Sequence, residues 1–415
     1  MRILLHDFGC YAFIIPLARW LAAQGFEVLH LSAGELTGPR GMPVSQADDP
    51  SGLHFSAVMT GRPFTRYALH RRLGDEWRYG RALQRAIDSF RPDLVLSANT
   101  PPVAQALALA HSRKQGIPFV NWVQDIFSLG AAPVLGRLPW PLGHVALALL
   151  RRLEFGTMAR SAGLVVIAPA FLDSLAANGV RHPLTLVREN WALPPPTQHA
   201  QTLQAGHWAQ SHGLGGCQIL LAAGTLGKKH DPDILARLAK GLAAQANARL
   251  VVVSQGPGRD HLEKVQAAEA QTTMCLFDYQ PAADVPAMLA SADIGLVQLN
   301  ADANGMSIPS KVYSYAAAGL PILAAIPPEN HAAQLIREHG LGLTVAPDDH
   351  EGLLAAALRL LNDGALREAC RAAGLAFTAR HGNMDLIGRQ FLDFLAQVHR
   401  MAQAGPDGSR QRVQE

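Results

Sequence analysis

Cysteine is scarce. The chain has four, Cys10, Cys217, Cys275 and Cys370, placed singly with no CxxC pair. That excludes a disulfide frame and a cysteine-based zinc site, and it points to a reducing compartment. No run of about 18 uncharged apolar residues occurs, so no transmembrane helix is expected. His6 and Asp7 interrupt the apolar N-terminus, which reads as a buried strand rather than a signal peptide. HExxH and other metal-ligand spacings are missing, so neither a metal nor another cofactor is implied. The phosphate-loop spacing GxxxxGK(S/T) is missing, and no GxGxxG follows a strand, which argues against hydride transfer. Aromatic and basic residues are not interleaved as in single-strand binders, so nucleic acid is not an expected partner. Charged residues make up only 17% of the 415 positions and leave a net charge of +3.

What is present is apolar material, 49% of the chain, enough for two cores. Ile3-Leu4-Leu5 reads as a strand running into Gly9, residues 13–24 as a helix stopped by Gly25, and 27–31 as a second strand. Further strands are expected at 94–96, 118–122 and 164–167. This alternation is the start of a doubly wound α/β sheet. WALPPPTQHAQ then breaks the pattern as a linker. Strands resume at 218–223, 249–253, 275–277, 294–297 and 321–324, and residues 384–402 read as a last helix. The expected domains are 1–195 and 205–380, with the last helix packing back on the first.

Ligands of open α/β sheets bind beyond the carboxyl ends of the strands, so the strand-end loops are the candidate sites. Gly224-Thr225-Leu226-Gly227-Lys228-Lys229-His230-Asp231 combines glycines, which admit close backbone approach, with two lysines that suit a diphosphate. Taken alone it is equally a β-α turn with a solvated lysine pair. Ser254-Gln255-Gly256-Pro257-Gly258 is a second glycine turn, which alone reads as well as a simple helix entry. The longest signal runs from Asn304 through Ser307, Ser310, Lys311 and Ser314 to Gly319-Leu320-Pro321. It is a polar loop entering a short helix, able to offer backbone N–H groups and the Lys311 charge to phosphate oxygens. His6 and His230 are placed at strand-end loops as further candidates.

These motifs in this order resemble the retaining family 4 glycosyltransferases of the GT-B fold, two Rossmann-like domains facing across a cleft. The likeness is greatest to the bacterial O-antigen, capsule and exopolysaccharide branch, with its fucosamine-transferase-like and colanic-acid-type members. It rests on the opening strand and glycine loop, Trp122-Val123-Gln124-Asp125, Arg152-Leu153-Glu154, GTLGKKHD, SQGPGRD and PSKVYSYAAAGLP, and covers nearly the whole chain. The resemblance implies that the C-terminal half binds a nucleotide-sugar as co-substrate. Gly224, Thr225, Gly227 and Lys229, with Lys228 as the alternative lysine, would meet the diphosphate. Ser307, Ser310, Lys311 and Ser314 would line the phosphate and sugar pocket, with Gly256, Gly258 and Tyr279 near the nucleoside. Gly9, Asn99, Thr100, Gln124 and Asp125 would receive the acceptor. The acidic pair that many members carry is replaced here, its first position falling near Met306 and its second on Ser314.

The implied chemistry is transfer with retention, the leaving diphosphate helping to take the proton, so that Lys229 and an acceptor-orienting Asp125 carry the catalytic roles. Asp125 reads equally as a cap of the turn that follows it. The acceptor implied is a lipid-linked saccharide, and the place of work the inner face of the cytoplasmic membrane. Two features fit such a surface: arginines at 62, 66, 71, 72, 78, 81 and 85 with His70, and the segment 138–152, where Trp140 and leucines precede Arg151 and Arg152. Arg62, Arg66 and His70 share helical spacing, although an ordinary solvated helix face reads the same way. The alternatives are a sugar-nucleotide epimerase on the same fold and a non-catalytic nucleotide-sugar-binding paralogue.

Overall fold

The computed structural model describes residues 1–415 except 37–40, 42, 63, 65–68, 194–205, 228, 304–306 and 409–415. The linker prolines, Arg66, Lys228 and Met306 therefore lie outside the described residues. The chain divides into two compact units, Met1–Glu189 with Met384–Glu415, and Asn190–Asn383. Each is built on a parallel Rossmann-like sheet.

In the first unit the strands are β1 (Arg2–Asp7), β2 (Glu27–Ala33), β3 (Leu53–Val58), β4 (Leu94–Ala98), β5 (Phe119–Val123), β6 (Gly163–Val166) and β7 (Thr185–Val187). Among the described residues they lie in the order β3-β2-β1-β4-β5-β6-β7. Every residue of β4, β5 and β6 is buried, as expected for parallel strands covered by helices on both faces. The chain winds outward from β1 to β3, then returns to β4 on the other side of β1. Register pairs Leu5 with His30 on one side and with Leu96 on the other. The carboxyl ends of β1 and β4 therefore sit at the switch point where such sheets bind ligands. The last helix, Met384–Gly408, lies on the helix Ile15–Ala23 within this unit. Trp20 Nε1 donates to Asp385 Oδ1 at 2.8 Å, and a Cβ at Gly388 would fall 2.2 Å from the Trp20 ring. Only glycine allows the two helices to meet there.

The second unit carries β8 (Gln218–Ala223), β9 (Ala248–Val253), β10 (Met274–Phe277), β11 (Ile294–Gln298), β12 (Ile322–Ala325) and β13 (Gly342–Val345). Their order is β10-β9-β8-β11-β12-β13, so its switch point lies between β8 and β11. One apolar cluster fills the space between this sheet and its helices, with Leu220, Leu250, Leu296 and Leu323 fully or almost fully buried.

Two expectations need correction. His6 does not sit in a loop; it lies inside β1 and is fully buried. The helix expected to carry Arg62, Arg66 and His70 on one face does not include Arg62, which lies in a bend; among the described residues that helix is Leu69–Phe90.

Candidate active site

In the second unit the β8 strand ends at Gly224, whose φ of +114° belongs to glycine. A Cβ there would lie 2.7 Å from Lys311 Cε and 3.3 Å from Lys311 Nζ. The Lys311 side chain thus crosses the strand end in the space a side chain would occupy. Lys229 comes from the same loop as Gly224, and its Nζ donates to Ser307 Oγ at 2.8 Å. Ser307 is buried and is tethered from behind, its carbonyl accepting from Asn330 Nδ2 at 3.1 Å. Asn300 N donates to the Lys229 carbonyl at 2.8 Å, so the loops after β8 and β11 are bonded across the switch point. Thr225 Oγ1 and the Tyr279 hydroxyl are 2.9 Å apart. Gly258 packs under Leu226, where a Cβ would come within 2.7 Å of the Leu226 carbonyl.

The local field is positive. Burial, then the neighbouring Lys229, lowers the Lys311 pKa to about 8. Burial, then Lys311 and Lys229, lowers that of His230 to about 3, so this imidazole is neutral at physiological pH. His230 Nδ1 accepts from Gly227 N at 3.2 Å, which leaves its proton on Nε2. Gly227 therefore spends its N–H on His230 rather than on an incoming anion, a contact that glycine spacing did not reveal. The helix Lys311–Ala317 is tied to β8 by Tyr315, whose hydroxyl donates to the Leu221 carbonyl and accepts from Ala223 N. Ser310 and Ser314 are exposed at its start. Gly256, with φ +92°, precedes the helix Pro257–Ala268 and has open space around its Cα.

The first-unit loops are held by a buried polar network. His6 Nδ1 bonds Ser97 Oγ at 2.9 Å and Thr100 Oγ1 at 3.0 Å, and its Nε2 bonds the Tyr79 hydroxyl at 2.8 Å. Burial, then His30, lowers its pKa to about 3. Gln105 continues the network from Ser97 Oγ to Asn121 Oδ1. Beside it, Asp7 takes the N–H of Tyr11 and so shapes the Gly9 loop; burial pushes its carboxyl up to about 8, against the hydrogen bonds from Tyr11, Gly9 and Cys10. Asn99, with φ +47°, donates to the Tyr11 hydroxyl at 2.7 Å. Asn99, Thr100, Gln124, Asp125, Phe127 and Glu154 line one shallow recess.

Glu154 accepts the N–H groups of Phe127 at 2.7 Å and Ser128 at 2.8 Å. It thereby serves the start of the helix Phe127–Leu135 from the helix that follows it, Leu142–Arg160. Removing it leaves two buried N–H groups without an acceptor, so Glu154→Ala is expected to lower unfolding free energy by about 2–4 kcal/mol in urea titration. The Gln124–Asp125 turn would loosen with it.

Residues 9–191 match the glycosyl transferase 4-like domain, and residues 217–363 match the domain of glycosyl transferases group 1. A probable glycosyltransferase, WbjE of Pseudomonas aeruginosa, is 27% identical over 268 residues, 62% of this chain and 64% of that protein's own length. Among solved structures, Anabaena HepE in complex with UDP and glucose superposes with a TM-score of 0.68 at 16% identity, covering 96% of this chain and 100% of that one. WaaG, a glycosyltransferase involved in lipopolysaccharide biosynthesis, reaches a TM-score of 0.61 at 17% identity over 94% of this chain and 98% of that one.

Proposed function

The chain belongs to the glycosyltransferases, with a 4-like domain followed by a group 1 domain on the GT-B fold, and from that premise we propose how its two units divide the reaction. The second unit grips the diphosphate of a nucleotide-sugar, and the first presents a saccharide hydroxyl to the sugar. The observation that carries this reading is the convergence of Lys229 and Lys311 at the end of β8, with Ser307 holding one of them.

As the sugar–phosphate bond breaks, negative charge grows on the departing diphosphate. Two ammonium groups already in place, in surroundings that desolvate Lys311, stabilise that charge without reorganising. Gly224 and Thr225 lie on the phosphate side of the pocket, Gly256, Gly258 and Tyr279 on the nucleoside side, and Ser310 and Ser314 toward the sugar. Asp125, with Gly9, Asn99, Thr100 and Gln124, orients the acceptor. The product keeps the anomeric configuration of the donor, as befits the family, and the moving group is a hexosyl or N-acetylhexosaminyl unit. The acceptor is a lipid-linked saccharide used in cell-surface polysaccharide synthesis, and the chain works as a peripheral protein at the inner face of the cytoplasmic membrane. Among the described residues no helix is long and apolar enough to cross a membrane.

Thermal shifts with UDP-, GDP-, dTDP- and ADP-sugars, followed by transfer assays with lipid-linked acceptors, test the reading. UDP-sugars are the first choice because HepE was solved with UDP and glucose. Binding of one donor class with transfer to an acceptor supports it. Conversion of donor alone to an epimer, or binding without any transfer, overturns it.

Affinity for the donor should also depend on pH. Lys311 loses its proton around pH 8 in the free protein. A bound diphosphate favours the charged form and raises that pKa. Donor affinity is therefore full below pH 8 and falls by about tenfold per unit above it, as measured by calorimetric titration.

A further inference from the structure

The first unit carries an apolar surface that the transfer chemistry does not use. Between the helices Phe127–Leu135 and Leu142–Arg160 the chain turns through Arg137, Leu138 and Trp140, and Trp140 is 81% exposed. Leu142, Val145 and Leu149 follow at helical spacing, all outward, with Leu149 63% exposed. Arg152 continues their stripe and Arg151 flanks it, both exposed. The opposite side of the same helix buries Glu154, Phe155 and Met158. Contiguous exposed apolar residues of this size mark a binding surface rather than ordinary surface scatter.

Charge identifies the occupant. From Ile126 to Leu153 the sequence has no carboxylate, while Arg137, Arg151 and Arg152 punctuate it. The neighbouring helix Leu69–Phe90 adds to this. Arg72 of that helix stands 6.0 Å over the ring of Phe127, so the two surfaces adjoin. Its Asp75 and Glu76 are buried and paired with Arg78 and Arg72, whereas Leu73, Trp77 and Arg81 face outward. Its Asp88 lies at the far end, bonded to His111 and Gln115. An amphipathic surface with an outward tryptophan, leucines and arginines suits the headgroup region of an anionic bilayer.

We propose that this surface docks the protein on anionic lipid, with Trp140, Leu142, Val145 and Leu149 entering the interface and Arg137, Arg151 and Arg152 meeting lipid phosphates. Phe127 belongs both to the docking side and to the recess lined by Asp125. The recess therefore opens next to the bilayer, where a lipid-linked acceptor keeps its tail. This deepens the reading of the acceptor site given above and rests on it for the purpose of docking, but not for the docking itself.

The full chain is sedimented with vesicles of 30% phosphatidylglycerol in phosphatidylcholine and with phosphatidylcholine alone. The intact protein is expected to partition strongly onto the anionic vesicles. Trp140→Ser/Leu149→Ser is expected to lower the partition coefficient on the order of a hundredfold, since each side chain loses its interfacial burial. Arg151→Glu/Arg152→Glu is expected to lower it at least about twentyfold on anionic vesicles and little on neutral ones. Both variants change exposed positions, and an unchanged nucleotide-sugar thermal shift would show that they are folded. Equal sedimentation of wild type and both variants would overturn the proposal. So would a failure of the intact protein to bind, or a dimer that the serine pair dissolves, which would make a second copy the occupant. Vesicle binding as expected without transfer from any donor would leave docking intact and sink the transferase reading alone.

Discussion

Lys229→Ala is expected to lower kcat/KM for the nucleotide-sugar by about a hundred- to a thousandfold, the usual effect of deleting one preorganised group that faces developing charge. A unit charge about 4 Å from the leaving group contributes on the order of 4 kcal/mol where the effective dielectric is near 20. That is the scale at which an alanine becomes severe. The loss should be larger in kcat than in KM, because the diphosphate carries more charge in the transition state than in the bound donor. Ser307→Ala should cost less, since it removes the anchor of Lys229 and keeps the ammonium. Steady-state kinetics with saturating acceptor would decide. A Lys229→Ala enzyme within threefold of the wild type would mean that the diphosphate is held elsewhere.

Gly224→Ala is expected to be nearly as damaging, for two separable reasons. A non-glycine residue at φ +114° is strained by about 1–3 kcal/mol. Its Cβ would also press on Lys311 at 2.7 Å, and the flexible lysine would yield by swinging its ammonium off the strand end. Stability should fall by that strain, while donor KM rises about tenfold or more as the second cation is displaced. Gly213→Ala separates the two. Gly213 has a φ of +71° with nothing within 4 Å of its Cβ, so it should show the stability loss with an unchanged KM. If the two variants behave alike in kinetics, the position of Lys311 has no bearing on donor binding.

The strands legible from sequence and those that escaped it differ in a physical way. β1, β2, β4, β8 and β9 read as near-continuous apolar runs because helices cover both faces of a parallel sheet and most positions are buried. β3, β7 and β13 were not anticipated, and all three are edge strands. With one neighbour instead of two they bury less; β13 has no fully buried position, and β7 is three residues long. Their sequences carry correspondingly little signal.

The candidate site divides in the same manner. Gly224 with Lys229, Gly256 with Gly258, and Ser307 with Lys311 stand out because glycine and lysine next to a strand end suit an anion, although the first two loops, taken singly, read as well as plain turns. What did not show is which of them touch. Lys311 lies across Gly224 although 87 positions separate their numbers, and Gly227 is bound to His230 rather than open. His6, expected at a strand-end loop as a site candidate, is a neutral hub of the core. Glu154 looked like one letter of a motif and proves to hold the start of the helix beside Asp125.

Periodicity and turn chemistry, which act over a few residues, were thus sufficient to mark most strands of the two sheets and the loops at their ends. Which lysine meets which glycine, which histidine stays neutral and which carboxylate supports the first-unit recess depend on packing between segments far apart in the chain. Burial and neighbouring charge set those properties, and neither exists until the sheets have formed.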